Sequence, residues 1–198
     1  MSRAPIARGT AAILLASALA GCGINSIPTA EETAKARWAD VQNNYQRRAD
    51  LIPNLVATVK AAGAQEKSIL VEVTQARAAA NTVQVSGDDL TDPAKIAQFS
   101  RVQGAIGLSL QRLQEAYPEL KSQANYTTLM SQLEGTENRI TIARRDYNGA
   151  VQAYNTKIRT FPDAVGAKIF YGAKPMVPFQ ATTPNAETAP KVDFGNAS

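Results

Sequence analysis

Apolar side chains recur every seven residues from Trp38 to Val83. One series runs Trp38, Tyr45, Ile52, Val59, Glu66, Val73 and Ala80, and a second runs Val41, Arg48, Leu55, Ala62, Ile69, Ala76 and Val83. Only Glu66 and Arg48 interrupt them. A repeat sustained this long lays one apolar stripe along helices that pack side by side with a left-handed tendency. Thr29 and Glu32 have capping-box spacing, so the first helix is expected to begin near Ala30. Pro53 falls inside the repeat; it lacks an amide donor and crowds the carbonyl four residues earlier, so a kink is expected there. Gly63, between Ala62 and Ala64, is a second weak point. The pattern leaves open whether residues 30–84 form one bent helix or two in succession.

Gly87-Asp88-Asp89 then punctuates the chain, and Asp92-Pro93 has the form of an N-cap followed by proline in the first turn. The next helix carries Ile96, Phe99, Gln103, Ile106, Leu110, Leu113 and Tyr117 at spacings of three and four, and stops at Pro118. A third begins near Asn125 and carries Tyr126, Leu129, Leu133, Thr136, Ile140, Ala143, Tyr147, Ala150, Tyr154 and Phe161 up to Pro162. Residues 164–171 predict one short amphipathic helix through Val165, Ile169 and Phe170. From Lys174 onward Pro175, Pro178, Pro184 and Pro190 stand among small polar residues, which predicts an extended or disordered tail. No segment long enough for a sheet alternates with period two, so the fold class is all-α.

Composition agrees with that class: of 198 residues, 44% are hydrophobic but only 6% aromatic, which suits helices packed through aliphatic side chains. The chain has no histidine and a single cysteine, Cys22. Ser/His and Cys/His catalytic pairs, His-containing zinc sites and intrachain disulfides are therefore excluded. No phosphate-binding loop or other cofactor motif is present, so no cofactor is expected. The formal charge of +4 includes Arg3 and Arg8; without them 19 basic residues face 17 acidic ones. A balance so close to neutral gives no reason to expect nucleic acid as a partner.

Arg3 and Arg8 belong to the first 21 residues, which have the layout of a secretory signal. A basic start leads into Ala11-Ala12-Ile13-Leu14-Leu15-Ala16 and ends in Leu19-Ala20-Gly21-Cys22. The stretch from Thr10 to Cys22 is 13 residues, short of the ~20 that span a bilayer as a helix. The closing tetrapeptide resembles the bacterial lipobox. That resemblance implies a diacylglycerol on the Cys22 sulfur (lipidation) and cleavage before it. Two or three acyl chains hold such a protein stably, at ~0.8 kcal/mol per buried methylene. Gly23 stands where an aspartate would, by resemblance to enterobacterial sorting, retain the protein in the inner membrane. The expected location is the periplasmic side of the cell envelope, with the outer membrane slightly favoured.

Several strings in the body resemble the LemA family of bacterial envelope proteins. They are Arg47-Arg48-Ala49-Asp50-Leu51-Ile52-Pro53-Asn54-Leu55-Val56, Val73-Thr74-Gln75-Ala76-Arg77, Tyr117-Pro118-Glu119-Leu120-Lys121, and Leu133-Glu134-Gly135-Thr136-Glu137-Asn138-Arg139-Ile140, followed by Tyr147-Asn148, Tyr154-Asn155 and Phe161-Pro162. The resemblance implies an antiparallel up-and-down bundle of three to four long helices with a membrane-attached N-terminus, and no catalytic residues. The organisation expected is a signal peptide over 1–21, a lipidated linker over 22–29, the bundle over 30–162, and a short helix with a disordered Pro-rich tail over 163–198.

The polar residues within these strings are the candidate interaction site: Arg47, Arg48, Asp50, Pro53, Asn54, Glu134, Glu137, Asn138, Arg139, Arg144, Tyr147, Asn148 and Tyr154. A charge at a core position needs a partner. Arg47, Arg48 and Asp50 are therefore expected to pair across the bundle with carboxylates such as Glu134 or Glu137. Glu134 and Glu137 also have spacing for acid/base or metal chemistry, but ion pairing explains them more simply, and a di-metal bundle would require Glu-x-x-His. The five tyrosines Tyr45, Tyr117, Tyr126, Tyr147 and Tyr154 fall on apolar stripes, and Trp38 is expected either to end the core or to touch lipid headgroups. The functional expectation is a non-enzymatic structural or interaction module, tethered to the membrane and holding an unidentified envelope protein. The alternative is a module that binds lipid or a peptidoglycan fragment between splayed helices lined by tyrosines.

Overall fold

The computed structural model of the chain describes residues 25–63 and 67–180. Leu19, Ala20, Gly21 and Cys22, on which the lipobox reading rests, lie outside the described residues, as do Glu66 and residues 181–198. Among the described residues there are four long helices: α1 (Ser26–Ala61), α2 (Lys67–Thr82), α3 (Pro93–Ala116) and α4 (Ala124–Lys157). Short 3-10 turns at Gly87–Thr91 and Pro118–Ser122 link the later ones, and α5 (Asp163–Gly166) continues as a π-helical turn, Ala167–Tyr171.

Cross-helix hydrogen bonds fix the directions. Trp38 Nε1 donates to the Val85 carbonyl at 2.8 Å, and Arg77 Nε to the Ala49 carbonyl at 2.8 Å, so α2 returns antiparallel to α1. Ser26 Oγ meets Asp163 and Arg48 meets Glu137, so α4 also opposes α1. Arg112 pairs with Glu72, and Arg48 reaches Gln103, so α3 runs with α1. The result is the expected up-and-down antiparallel bundle.

Two apolar clusters fill it. One holds Trp38, Tyr45, Phe99, Ile140, Tyr147 and Val151; the other holds Ile52, Leu55, Ile106, Leu113 and Leu133. Each such side chain contributes ~1.5–3 kcal/mol by leaving water. Between the clusters, at one level of the bundle, lie the buried polar residues Arg48, Gln103 and Thr136. The heptad series predicts this layout, Arg48 included.

Local geometry departs from expectation at the start of the first helix and in the tail, and it decides two readings that the pattern leaves open. The helix starts at Ser26 rather than near Ala30, and Thr29 and Glu32 do not form its cap. Pro28 is accommodated because the amides of a first turn have no helical acceptor, so proline removes nothing there. Residues 30–84 form two antiparallel helices: α1 continues through Pro53, and the chain reverses after Ala61, where Gly63 takes φ +85°. Trp38, only 2% exposed, stacks on Phe179 at 5.4 Å between ring centroids and is a core residue that touches no headgroup.

The second correction concerns the tail. Residues 173–180 are extended, as one reading of the prolines allows, but they are ordered against the bundle, with Met176 and Phe179 buried in the Trp38 cluster. The chain thus closes its core with a non-helical strap.

Candidate functional site

The strap is held by a ladder of side chains on α4. Asn148 donates from Nδ2 to the Phe179 carbonyl at 3.0 Å and accepts from the Phe179 amide at 2.8 Å. One heptad on, Asn155 does the same to Met176, at 2.8 and 2.9 Å. The preceding tyrosines alternate with them: Tyr147 Oη donates to the Val177 carbonyl at 2.9 Å and Tyr154 Oη to the Lys174 carbonyl at 3.2 Å. Burial raises the pKa of both phenols, most strongly at Tyr147, so both remain donors at neutral pH.

The spacing has a simple origin. Seven helical residues rise ~10.5 Å, and three residues of extended chain advance ~10 Å. A Tyr-Asn pair repeated every seven residues on a helix therefore matches an extended backbone every three residues, and both spacings are met here. Arg144 completes the end of the ladder, its guanidinium 4.8 Å over the Phe179 ring and bonded to the Gln180 carbonyl at 3.1 Å. The far side of the strap is tied by the Val177 amide, which donates to the Leu90 carbonyl at 2.8 Å. Every member of the ladder is engaged by the chain's own backbone.

A second polar construction surrounds Arg48, which is 3% exposed. One guanidinium nitrogen donates to Glu137 at 2.7 Å; the other donates to the Gln103 carbonyl at 2.8 Å and side-chain oxygen at 2.7 Å. Tyr45 lies 4.9 Å beneath it. Of the three guanidinium nitrogens only Nε has no partner, a state it shares among the described residues with the buried Tyr126 hydroxyl. One end of the ion pair is half in water, since the Glu137 side chain is 46% exposed. The pair ties α1 to α4 at this level of the bundle.

The Arg77–Ala49 bond explains the proline. Pro53 offers no amide to the carbonyl four residues before it, which is Ala49, and Arg77 on α2 supplies the missing donor.

Of the residues proposed from sequence, Arg48 and Glu137 meet as expected. Arg144, Tyr147, Asn148 and Tyr154 meet on the strap. The others do not join either construction. Arg47 is exposed, and Asp50 accepts from Gln46 within its own helix. Pro53, Asn54, Glu134, Asn138 and Arg139 are exposed. Glu134 borders a small open hollow with Tyr126 and Met130, apart from Glu137's contact with Arg48. Sequence reasoning missed Gln103, Arg77, Asn155, Met176 and Phe179 as site residues. Asn155 had a signal, because Tyr154-Asn155 repeats Tyr147-Asn148 at seven residues. The five tyrosines are all buried, at 6% exposure or less, and fill the core instead of lining a gap between splayed helices. The largest of the open hollows described, about 560 Å³ beside Lys60, Leu70 and Val71, has no tyrosine in its wall. Among the described residues no group of acids is placed to hold a metal, and no helix is long and apolar enough to cross a membrane.

Comparison with known proteins gives matches of one kind. The model of the LemA family matches residues 37–194, a range that includes the strap and all of the four-helix body except the first eleven residues of α1. Two magnetosome proteins of Paramagnetospirillum magneticum, MamQ 1 and MamQ 2, are each 29% identical over 157 residues, covering 70% of this chain and 58% of theirs. Protein LemA of Metamycoplasma hominis is 29% identical over 97 residues, covering 48% of this chain and 41% of its own. The chain thus spans about three fifths, or less, of the length of these curated relatives.

Proposed function

This chain belongs to the LemA family, and from that premise we propose that it is a non-enzymatic interaction module tethered by lipid to the bacterial envelope. The observation that carries the reading is the Tyr-Asn ladder. The best-organised polar groups of α4 serve a peptide backbone, with no nucleophile or acid/base pair among them. Helix faces and extended segments are common means of protein recognition. The Leu19-Ala20-Gly21-Cys22 sequence, four residues ahead of α1, supports the tether. In this reading the bundle stands on the periplasmic side, the outer membrane is slightly favoured, and the exposed helix faces hold an envelope protein near the bilayer.

The test is in-cell cross-linking of the tagged full chain beside a Cys22→Ser variant, with the mass of the N-terminal peptide measured in each. The expected result is a diacylglycerol mass on Cys22 and one envelope protein enriched with the wild type and lost with the variant. An unmodified Cys22 removes the tether. Lipid or glycan co-purifying with no protein captured removes the scaffold and favours a ligand-binding module.

A further inference from the structure

The segment that follows the cis Phe161–Pro162 peptide is packed inside out. Its small residues face the bundle: Ala167 is 2% exposed, and a Cβ on Gly166 would lie 3.8 Å from Ile27 Cδ1. Its bulky residues face outward, with Phe161 86%, Val165 50%, Ile169 69%, Phe170 67% and Tyr171 41% exposed. These are five of the eight large hydrophobic residues exposed among those described, gathered within eleven positions. Scattered apolar side chains on a surface need no explanation, but a cluster of this kind marks a contact.

Charge and position identify the contact. Lys157, Arg159, Lys168 and Lys174 flank the cluster, and no salt bridge engages them among the described residues. The one acid between Lys157 and Lys174 is Asp163, which accepts from Ser26 Oγ at 2.8 Å. That bond also places the cluster at the end of the bundle where α1 begins. Cys22 stands four residues before Ser26, and four residues of chain reach at most ~14 Å.

We propose that the outward face of residues 161–171, with its flanking basic residues, docks onto the surface of an anionic bilayer. The apolar side chains enter the headgroup region and the lysines and arginine meet lipid phosphates. The proposal rests on the lipid tether, which would hold this end of the bundle within reach of the membrane. Docking then sets the long axis of the bundle at a defined angle to the bilayer instead of leaving it free to swing.

The test uses the full chain carrying Phe170→Trp, purified from membranes and reconstituted in vesicles of phosphatidylethanolamine and phosphatidylglycerol. Trp38 is buried and serves as the internal reference in the unsubstituted chain. The expected result is a blue shift of the added emission and its loss when the acyl chains are brominated, with both effects reduced in phosphatidylcholine vesicles or by Lys168→Glu with Lys174→Glu. Emission that stays at the water-exposed wavelength and escapes quenching overturns the proposal. So does a blue shift that depends on protein density without quenching, which means a second copy covers the face. The N-terminal mass separates the two readings. An acylated protein with no quenching loses only the docking face, and an unacylated one that remains in the vesicles and is quenched loses only the lipid anchor.

Discussion

Replacing Asn148 and Asn155 by alanine tests whether the ladder holds the strap. Each substitution removes two hydrogen bonds between a side-chain amide and the strap backbone. At ~0.5–1.5 kcal/mol net per bond, one substitution weakens docking by ~1–3 kcal/mol, which is roughly 5- to 150-fold in the equilibrium between docked and open strap. If the strap opens as one unit the two losses should add, and a departure from the sum measures their coupling. Met176 and Phe179 still contribute ~1.5–3 kcal/mol each by burial, so the bundle should remain folded. The measurement is hydrogen exchange at the Val177 amide. That amide bonds to Leu90 and touches neither asparagine, so it reports docking and not the loss of its own acceptor. Exchange at Val177 should accelerate by the stated factor in each single variant, and by more in the double, while core amides of α1 keep their protection. Unchanged exchange at Val177 would refute the ladder, leaving apolar burial as the sole attachment.

Two further outcomes follow from the geometry. Arg77→Ala should cost ~1–3 kcal/mol in urea melts, because the Ala49 carbonyl loses its donor; in a Pro53→Ala background the helix supplies that donor and the cost should fall by ~1 kcal/mol or more. Equal costs in the two backgrounds would mean that the bond does not serve the proline. Asp89 accepts from Lys95 Nζ, then from the Ser86 hydroxyl and amide, and these contacts lower its carboxyl pKa to about 2. A depressed folded pKa contributes stability above the ordinary value of 3.8 that is lost as pH falls through about 2. A side-chain NMR titration should place the midpoint near 2, and Lys95→Ala should raise it; a midpoint at 3.8 in the intact chain would show the cluster to be open in solution.

The heptads make the body legible because each helix turns one face to the core, and even Arg48 stands out in them as a core charge needing a carboxylate. The reversal at Gly63 was hidden because Ile52, Val59 and Val73 keep a common phase across it, so periodicity does not register the turn. The capping box misled for a related reason. Thr29 and Glu32 have the spacing, but Pro28 can sit inside a first turn, and Ile27 buries one turn earlier. The strap was the least legible part. Met176 and Phe179 are three apart in a stretch without helical or strand periodicity, and their acceptors and donors lie on a helix 21 and 31 residues earlier. The donor half was visible as a repeated Tyr-Asn pair; nothing in the tail announced its complement.

The docked strap uses amide protons at Met176 and Phe179 for the ladder and at Val177 for Leu90. Pro175 and Pro178 stand next to these positions and at none of them, so an absent N–H there costs the strap nothing. Proline restricts the chain before folding as well as after it, so a strap stiffened at these two positions surrenders less conformational entropy when it docks. The residues that make the tail look unstructured in sequence thus lower the entropic cost of its order.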